Sequence, residues 1–119
     1  MVMKFGGASV ADPARIHRAA ERAVAARKKG NHVVVVISAP GDMTDELTAL
    51  AKRVCDEPDK REMDMLLSTG EQVGIALFAI AVKNKRCDAI SLTGPQAGIE
   101  ADSRHTQARI VRIRPRKIL

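Results

Sequence analysis

The sequence feature that most constrains the fold is the apolar run at residues 32–38, HVVVVIS. Four valines and an isoleucine in succession favour an extended strand, because β-branched side chains pack well on a pleated surface. The run does not alternate between polar and apolar residues, which is typical of a parallel strand that is buried on both faces. The sequence therefore predicts a sheet that is covered by helices.

Predicted strands and helices alternate along the chain. Residues 2–5 form a short strand that ends at Gly6 and Gly7, and residues 87–92 form a third strand. Asp12 is placed to cap a helix that Gly30 ends, with a proline at the first helical position. This alternation predicts an α/β fold with right-handed crossovers and a mostly parallel sheet.

Two further helices are predicted in the middle of the chain. A turn at residues 39–42 precedes the first, and Thr44 or Asp45 is placed to cap it. The second helix runs from about residue 61 to residue 85 and is interrupted at residues 68–70. Residues 98–113 are expected to form short extended pieces around a turn.

Composition and charge argue against several classes of partner. Aromatic residues make up only 2% of the chain, whereas base-stacking nucleic-acid platforms depend on aromatic side chains. No acidic residue follows residue 103, and the whole net charge of +6 lies in the last 16 residues. No apolar run is predicted to span a membrane. We therefore expect no nucleic-acid partner, no membrane partner, and a cytoplasmic location with reduced cysteines.

Three loops that follow predicted strands are rich in small or polar residues, at residues 6–9, 38–46 and 92–98. Ligands of open parallel sheets bind outside the carboxyl ends of the strands. The glycine pair in the first loop lets backbone N–H groups approach an anion, and Lys4 can place its ammonium on the same anion. The pattern indicates a phosphate site, although a tight turn beside a solvated lysine explains this motif equally well.

Glu71 follows the small residues Ser68, Thr69 and Gly70 inside a helical region. One interpretation is a capping acid in the first turn of a restarted helix, where the helix dipole favours a carboxylate. The other is a carboxylate held rigidly to receive a cationic group, such as the ammonium of a substrate. The motif alone does not separate the two.

Four blocks of the sequence are more specific than any single motif. KFGGAS, VVVVISAPGDMTDEL, REMDMLLSTGEQV and AISLTGPQAGIEADSRHTQARI resemble, in order and at matching intervals, the N-terminal half of the catalytic domain of aspartate kinases in the amino-acid kinase family. The resemblance implies an incomplete three-layer α/β/α fold. It also implies transfer of the γ-phosphoryl group of ATP, with Mg²⁺, to the side-chain carboxylate of L-aspartate. The product, 4-phospho-L-aspartate, leads to lysine, threonine and methionine.

The resemblance also assigns roles to individual residues. Lys4 is the implied catalytic residue, which neutralises charge on the transferring phosphoryl group. Contacts with the ATP phosphates are implied for Lys4, Phe5, Gly6, Gly7 and Ser38, and contacts with aspartate for Ser38, Gly41, Thr44 and Glu71. No metal ligand is implied. The acceptor is already a carboxylate anion, so no general base is needed, and the three histidines receive surface or structural roles.

Two departures from the family pattern affect these expectations. Ala8 stands where the family usually has Thr or Ser, and a lost neutral hydrogen bond costs about 0.5–1.5 kcal/mol. Pro40 replaces a residue that is usually Met. Residues 1–119 match only the N-terminal part of the kinase domain, without the nucleotide-binding half or the regulatory domains. We therefore expect negligible turnover from this chain alone, and a homo-oligomer in the intact form.

Two other functions stay open from the sequence. A catalytically inactive remnant could bind a small anion or a partner subunit, since an incomplete sheet exposes an unpaired edge. Alternatively, the basic segment around Arg112, Arg114 and Arg116 could bind nucleic acid, with the steep salt dependence that phosphate contacts cause.

Overall fold

The computed structural model describes residues 1–105 and 107–118. Strands β1 (Val2–Phe5) and β2 (Val34–Ile37) pair in parallel along their whole length. Helix α1 (Pro13–Lys28) connects them, and helices α2 (Met43–Val54) and α3 (Lys60–Asn84) follow β2. The predicted α/β class and its parallel strands are therefore confirmed.

The C-terminal part of the chain forms an antiparallel hairpin. Strands β3 (Ile99–Ala101) and β4 (Ile110–Ile113) pair with an irregular register at Val111 of β4, opposite the step from Glu100 to Ala101. His105 Nδ1 lies 3.0 Å from an Asp64 carboxylate oxygen and so connects the hairpin to α3. The extended pieces expected at residues 98–113 are confirmed, except at Thr106, which lies outside the described residues.

Local signals set the ends of α1 as predicted. The Asp12 carboxylate accepts a hydrogen bond of 2.8 Å from the Arg15 amide, and Pro13 is the first helical residue. The Asp12 carboxylate satisfies one of the free N–H groups of the first turn, and Pro13 has no N–H group that needs a partner. Beyond the last helical turn, Gly30 adopts a φ of +93°, a conformation that glycine allows without steric cost.

The hydrophobic core lies between one face of the β1–β2 pair and helices α1 and α3. The rings of Phe5 and Phe78 are 6.0 Å apart between centroids and join the sheet to α3. Alanines on α1 allow this helix to pack closely against the two aromatic rings. The buried members of the cluster include Phe5, Val10, Ile16, Ala20, Ala23, Val24, Ile37, Phe78 and Val82.

The prediction that β2 is buried on both faces was wrong for the chain as it stands. Val36 is 49% exposed and Val2 is 72% exposed, whereas Phe5 and Ile37 are buried. Side chains alternate across a strand, and both packed helices cover the face of Phe5 and Ile37. The opposite face of the pair has no helix on it among the described residues.

The prediction of a third strand at residues 87–92 was also wrong. This segment has no regular secondary structure and pairs with no strand in the part of the chain that the structure describes. A strand exists only where a neighbour supplies hydrogen bonds, and a wide groove separates this segment from β2. Cys87 and Ala89 nevertheless pack against the core.

Helix α2 starts at a different residue from the predicted one, and helix α3 lacks the predicted interruption. Helix α2 starts at Met43, so Thr44 and Asp45 lie inside its first turn and neither caps it. Helix α3 runs without interruption through residues 68–70. The Ser68 and Thr69 hydroxyls donate hydrogen bonds to carbonyl oxygens three residues earlier, which satisfies them within a continuous helix.

Two glycines let α3 pass close to the end of β2. A Cβ on Gly74 would lie 2.7 Å from the Ser38 carbonyl oxygen, and a Cβ on Gly70 would lie 3.1 Å from the Ala39 Cβ. Real Cβ atoms do not approach a backbone oxygen as closely as 2.7 Å. The glycines therefore place the middle of α3 directly beside the loop that follows β2.

We expect Gly74→Ala to destabilise the fold, although alanine alone would favour the helix by about 1 kcal/mol. The added methyl group forces the Ser38 carbonyl away, and overpacking of this kind costs about 1–3 kcal/mol. Thermal unfolding of the purified chain measures the change. Gly6→Ala is the control, since a Cβ there meets nothing within 4 Å. Equal unfolding temperatures for the two variants would contradict this account.

The composition of α3 bears on the expectation of no membrane partner. By length and hydropathy α3 could cross a membrane, a test that the core helices of soluble proteins also pass. Here Gly70, Gly74, Phe78 and Val82 pack into the core of the fold. The absence of a membrane partner stays a prediction.

Candidate functional site

The loops that follow β1 and β2 meet at the carboxyl edge of the sheet. The Ser38 amide donates a hydrogen bond of 3.1 Å to the Phe5 carbonyl, which extends the pairing past the last strand residue. The Gly41 amide donates one of 2.9 Å to the Gly7 carbonyl. The structure thus brings four of the predicted phosphate-binding and aspartate-binding residues to one edge.

The two glycines of the first loop have different surroundings. A Cβ on Gly7 would lie 2.8 Å from the Ala39 carbonyl oxygen and 3.0 Å from that of Gly41, so only glycine allows the loops to touch. A Cβ on Gly6 would meet nothing within 4 Å. Gly7 therefore holds the two loops together, whereas the backbone at Gly6 is open to an approaching anion.

Thr44 lies in the first turn of α2, directly after the loop that contains Gly41. Its side chain is exposed, and Gly41 adopts a φ of +55° that lets the chain turn into the helix. The N-terminal turn of a helix carries partial positive charge and free N–H groups, which favour a carboxylate or a phosphate. Thr44 is thus placed beside the sheet edge where the predicted ligands bind.

Glu71 projects from the middle of α3 into a groove of about 1080 Å³. Ser68 and Gln72 of the same helix line this groove, together with Thr93 and Gly94 of the third loop. Because α3 is continuous here, Glu71 is not a capping acid in a first turn, and that interpretation was wrong. An exposed carboxylate near the carboxyl edge of the sheet is compatible with binding a cation.

Lys4 belongs to β1 and lies opposite Val36 of β2. Its side chain is exposed and lies on the sheet face opposite Phe5, as alternation along the strand requires. Lys4 is not among the residues that line the groove of Glu71. The roles assigned to Lys4 and Glu71 predict that both side chains face one cavity, and this prediction was wrong for the described residues.

Sequence reasoning missed the role of two residues beside the site. Gly70 and Gly74 set the distance between α3 and the loop after β2, whereas the sequence pattern favours a helix interruption at Gly70 and singles out no role for Gly74. Their spacing of four residues was the available signal, since residues i and i+4 lie on one face of a helix. Two small residues on one face permit close packing of that face.

The described residues contain no group of three His, Cys, Asp or Glu side chains that could hold a metal ion. Magnesium prefers carboxylate oxygens and phosphate oxygens as ligands. Binding of Mg²⁺ through ATP phosphates, water and one or two carboxylates needs no such group.

The two parallel strands, the helices on one face of them and the glycine-rich loops at their carboxyl edge define an α/β domain. The family model of the amino acid kinase family matches residues 1–118 of the chain. The chain belongs to the amino-acid kinase family.

Its relatives within that family are aspartokinases. It is 55% identical over 113 residues to aspartokinase 2 of Bacillus subtilis, and 49% identical over 118 residues to the aspartokinase of Mycobacterium tuberculosis. These alignments cover 95% and 99% of this chain, and 28% of each relative. The crystal structure of aspartate kinase from Synechocystis matches 82% of this chain, with a TM-score of 0.79 and 52% identity, and 17% of that structure is covered. The chain thus spans just over a quarter of the length of these curated relatives.

Proposed function

We propose that this chain forms the phosphoryl-transfer and aspartate-binding part of an aspartate kinase. The complete enzyme transfers the γ-phosphoryl group of ATP to the side-chain carboxylate of L-aspartate and yields 4-phospho-L-aspartate. This reaction is the first step toward lysine, threonine and methionine. The observation that carries the proposal is the convergence of the Gly7 and Gly41 loops at one strand edge, in a chain about half identical to aspartokinases.

The chemistry of phosphoryl transfer suits the residues at this edge. The reaction needs positioning of two anions and positive charge on the phosphoryl oxygens, with little covalent help from the protein. Backbone N–H groups near Gly6 and the ammonium of Lys4 are donors of the required kind. Ser38 and Thr44 offer hydroxyl groups to the carboxylates of aspartate, and Glu71 offers a carboxylate to its ammonium.

Several further properties belong to the same proposal. Mg²⁺ accompanies ATP and is bound mainly by phosphate and water oxygens. The intact enzyme is cytoplasmic and a homo-oligomer. The residues of this chain would orient the acceptor carboxylate and the γ-phosphoryl group, while the adenine and ribose contacts come from sequence that residues 1–119 do not contain.

We expect the purified chain to show negligible ATP-dependent turnover of aspartate. Part of an active site cannot hold ATP and aspartate in the in-line geometry that phosphoryl transfer needs. Correct positioning of reactants contributes about 7–11 kcal/mol to lowering a barrier. The comparison is a chimaera in which residues 1–119 replace the matching segment of Bacillus subtilis aspartokinase 2. A hydroxamate assay for the acyl phosphate should detect product only with the chimaera.

Two outcomes would contradict the proposal. Product from the isolated chain that is lost in Lys4→Met would show that the chain is sufficient for catalysis. A chimaera that folds, as judged by circular dichroism and thermal unfolding, but does not phosphorylate aspartate would show that these 119 residues do not form an aspartate kinase site.

A further inference from the structure

The short turn that follows β1 is held at three points. This 3₁₀ turn spans Gly7–Val10. Its first residue accepts a hydrogen bond from the Gly41 amide of the next loop, and its last residue, Val10, is only 1% exposed in the core. Between them, the Ala8 carbonyl oxygen accepts a hydrogen bond of 2.9 Å from Nη1 of the Arg15 side chain. Arg15 thus joins the first turn of α1 to the glycine loop.

The Arg15 guanidinium has a second partner that fixes its position. Its Nε lies 3.5 Å from Asp12 Oδ2, and the backbone amide of Arg15 donates a hydrogen bond to Asp12 Oδ1. One oxygen of the Asp12 carboxylate therefore caps α1, while the other holds the guanidinium. A guanidinium is planar and presents its donors in fixed directions, so the position of Nε also sets the direction of Nη1. Asp12 thereby holds in place the group that binds the Ala8 carbonyl.

Stabilisation of α1 alone does not account for the Arg15 side chain. The side chains of Arg15 and Asp12 are 47% and 49% exposed, and exposed ion pairs contribute little to stability. The helix cap uses the backbone amide of residue 15, which every residue type except proline supplies. The contact that reaches beyond the helix is the hydrogen bond to the Ala8 carbonyl.

The hydrogen bond to Ala8 fixes the direction of the peptide groups nearer to β1. These peptide groups are trans and planar, so the C=O and the N–H of each one point in opposite directions. The group between Ala8 and Ser9 is held at both ends, because the Ser9 amide donates a hydrogen bond of 3.0 Å to the Gly6 carbonyl. Since the Gly6 carbonyl is turned toward Ser9, the Gly7 amide points away from Ser9. Arg15 thus acts, through two peptide groups, on the amide beside the open backbone of Gly6.

We propose that Arg15 is a positioning residue for the glycine loop, which holds the Gly7 amide in the direction required to bind a phosphate of ATP. The inference rests on the proposed function, which assigns phosphate contacts to Gly6 and Gly7. Arg15 touches neither substrate and acts through the Ala8 carbonyl. Donors that are aimed at the phosphoryl oxygens before the reaction need no rearrangement in the transition state, so a brace on the loop favours transfer.

Hydrogen exchange in the isolated chain tests the brace without any measurement of activity. Arg15→Met removes the guanidinium but keeps an unbranched side chain of high helical propensity. We expect exchange of the Ser9 amide to become at least about 10-fold faster, while the amide of residue 15, which Asp12 caps, changes less than about twofold. Arg18→Met, at an exposed position one turn later on α1, is the matched control and should change neither amide. Unchanged exchange at Ser9, or equal acceleration of both amides, would overturn the proposal.

Steady-state kinetics of the chimaera test what the brace does for the reaction. Arg15→Met should lower kcat/KM for ATP about 10–100-fold, because small displacements of positioning groups have effects of this size. The KM for aspartate should change less than about twofold, since uniform binding of aspartate is assigned to other residues. A residue that only stabilises α1 would lower the unfolding temperature without this difference between ATP and aspartate. Unchanged kcat/KM for ATP, in a variant with faster exchange at Ser9, is a second result that the proposal does not survive.

Arg15→Lys separates the geometry of the guanidinium from its charge. Lysine keeps the positive charge but has a single ammonium, which cannot hold Asp12 and Ala8 with the fixed geometry of the guanidinium, so Arg15→Lys should recover less than about a third of the activity lost in Arg15→Met. Full recovery would identify an effect of charge and contradict the proposal. An unsubstituted chimaera without activity would contradict the proposed function instead, and exchange at Ser9 then decides alone whether Arg15 fixes the loop.

Discussion

Replacing Lys4 by methionine in the chimaera is expected to lower kcat about 10²–10³-fold, with little change in the KM for aspartate. Methionine keeps the length and the apolar stem of lysine but removes the ammonium. If this charge acts on the transferring phosphoryl group, its loss affects the transition state more than the bound substrates. Steady-state kinetics with varied ATP and varied aspartate measure both quantities.

The controls for Lys4 separate charge from structure. Lys52→Met removes an exposed lysine from α2 and should leave kcat within about twofold. Lys4→Arg keeps a positive charge and should retain more activity than Lys4→Met, although guanidinium and ammonium differ in shape. Lys4 is exposed on β1, so neither Lys4→Met nor Lys4→Arg should change the free energy of unfolding by more than about 0.5 kcal/mol. A fall in kcat of less than threefold for Lys4→Met would contradict a catalytic role.

The chimaera is needed because the isolated chain leaves Lys4 and Glu71 apart. Lys4 lies on the sheet face that carries no helix within residues 1–105 and 107–118, whereas Glu71 of α3 lines the groove beside β2. A lysine close to the end of a strand can extend over the sheet edge, but only surrounding structure can hold it there. The predicted cavity shared by the two residues is therefore not formed among residues 1–105 and 107–118.

The sequence correctly predicted those helices and strands whose ends depend on residues close together in the chain. Asp12 and Pro13 begin α1 through hydrogen bonds within one turn, and Gly6 and Gly7 end β1. The valine-rich run predicted a parallel strand, and β2 is one. The loops after β1 and β2 were predicted to follow strand ends, and the hydrogen bond between Gly7 and Gly41 brings these two loops together.

The predictions that failed concern properties that depend on distant neighbours. Burial of β2 on both faces and a strand at residues 87–92 would each require further strands or helices beside them. The described residues do not provide these neighbours, although the apolar sequence pattern is typical of a strand that has them. Gly70 was expected to interrupt α3 because glycine weakens an isolated helix. Packing against Ala39 compensates for this cost, and only the tertiary structure shows that contact.

The site residues also divide into those that local sequence indicates and those that it does not. The glycine loops, Lys4 and Glu71 could be singled out from their local sequence, whereas the roles of Ser38 and Thr44 came from family resemblance. The sequence left two interpretations of Glu71 open, and the continuity of α3 excludes the capping one. The remaining interpretation, a carboxylate that receives a cation, leads to a prediction of comparable size to that for Lys4.

Glu71→Gln in the chimaera is expected to raise the KM for aspartate about 10–100-fold, with kcat and the KM for ATP nearly unchanged. Glutamine keeps the shape of the side chain and its helical propensity, so the loss of charge is the main change. Hydrogen bonds to charged groups contribute about 1.5–3 kcal/mol, which corresponds to this range of binding. If the ammonium of aspartate is bound equally in the ground state and the transition state, the loss appears in KM alone.

Succinate distinguishes contact with the ammonium from a general effect on the site. It has both carboxylates of aspartate but no ammonium, so its inhibition constant should be the same for the unsubstituted chimaera and for the Glu71→Gln variant. Glu57→Gln is the matched control, since Glu57 is exposed between α2 and α3 and should affect neither constant. If Glu71→Gln weakens aspartate and succinate by the same factor, Glu71 organises the groove without binding the ammonium. In that case a group other than the Glu71 carboxylate must hold the substrate ammonium.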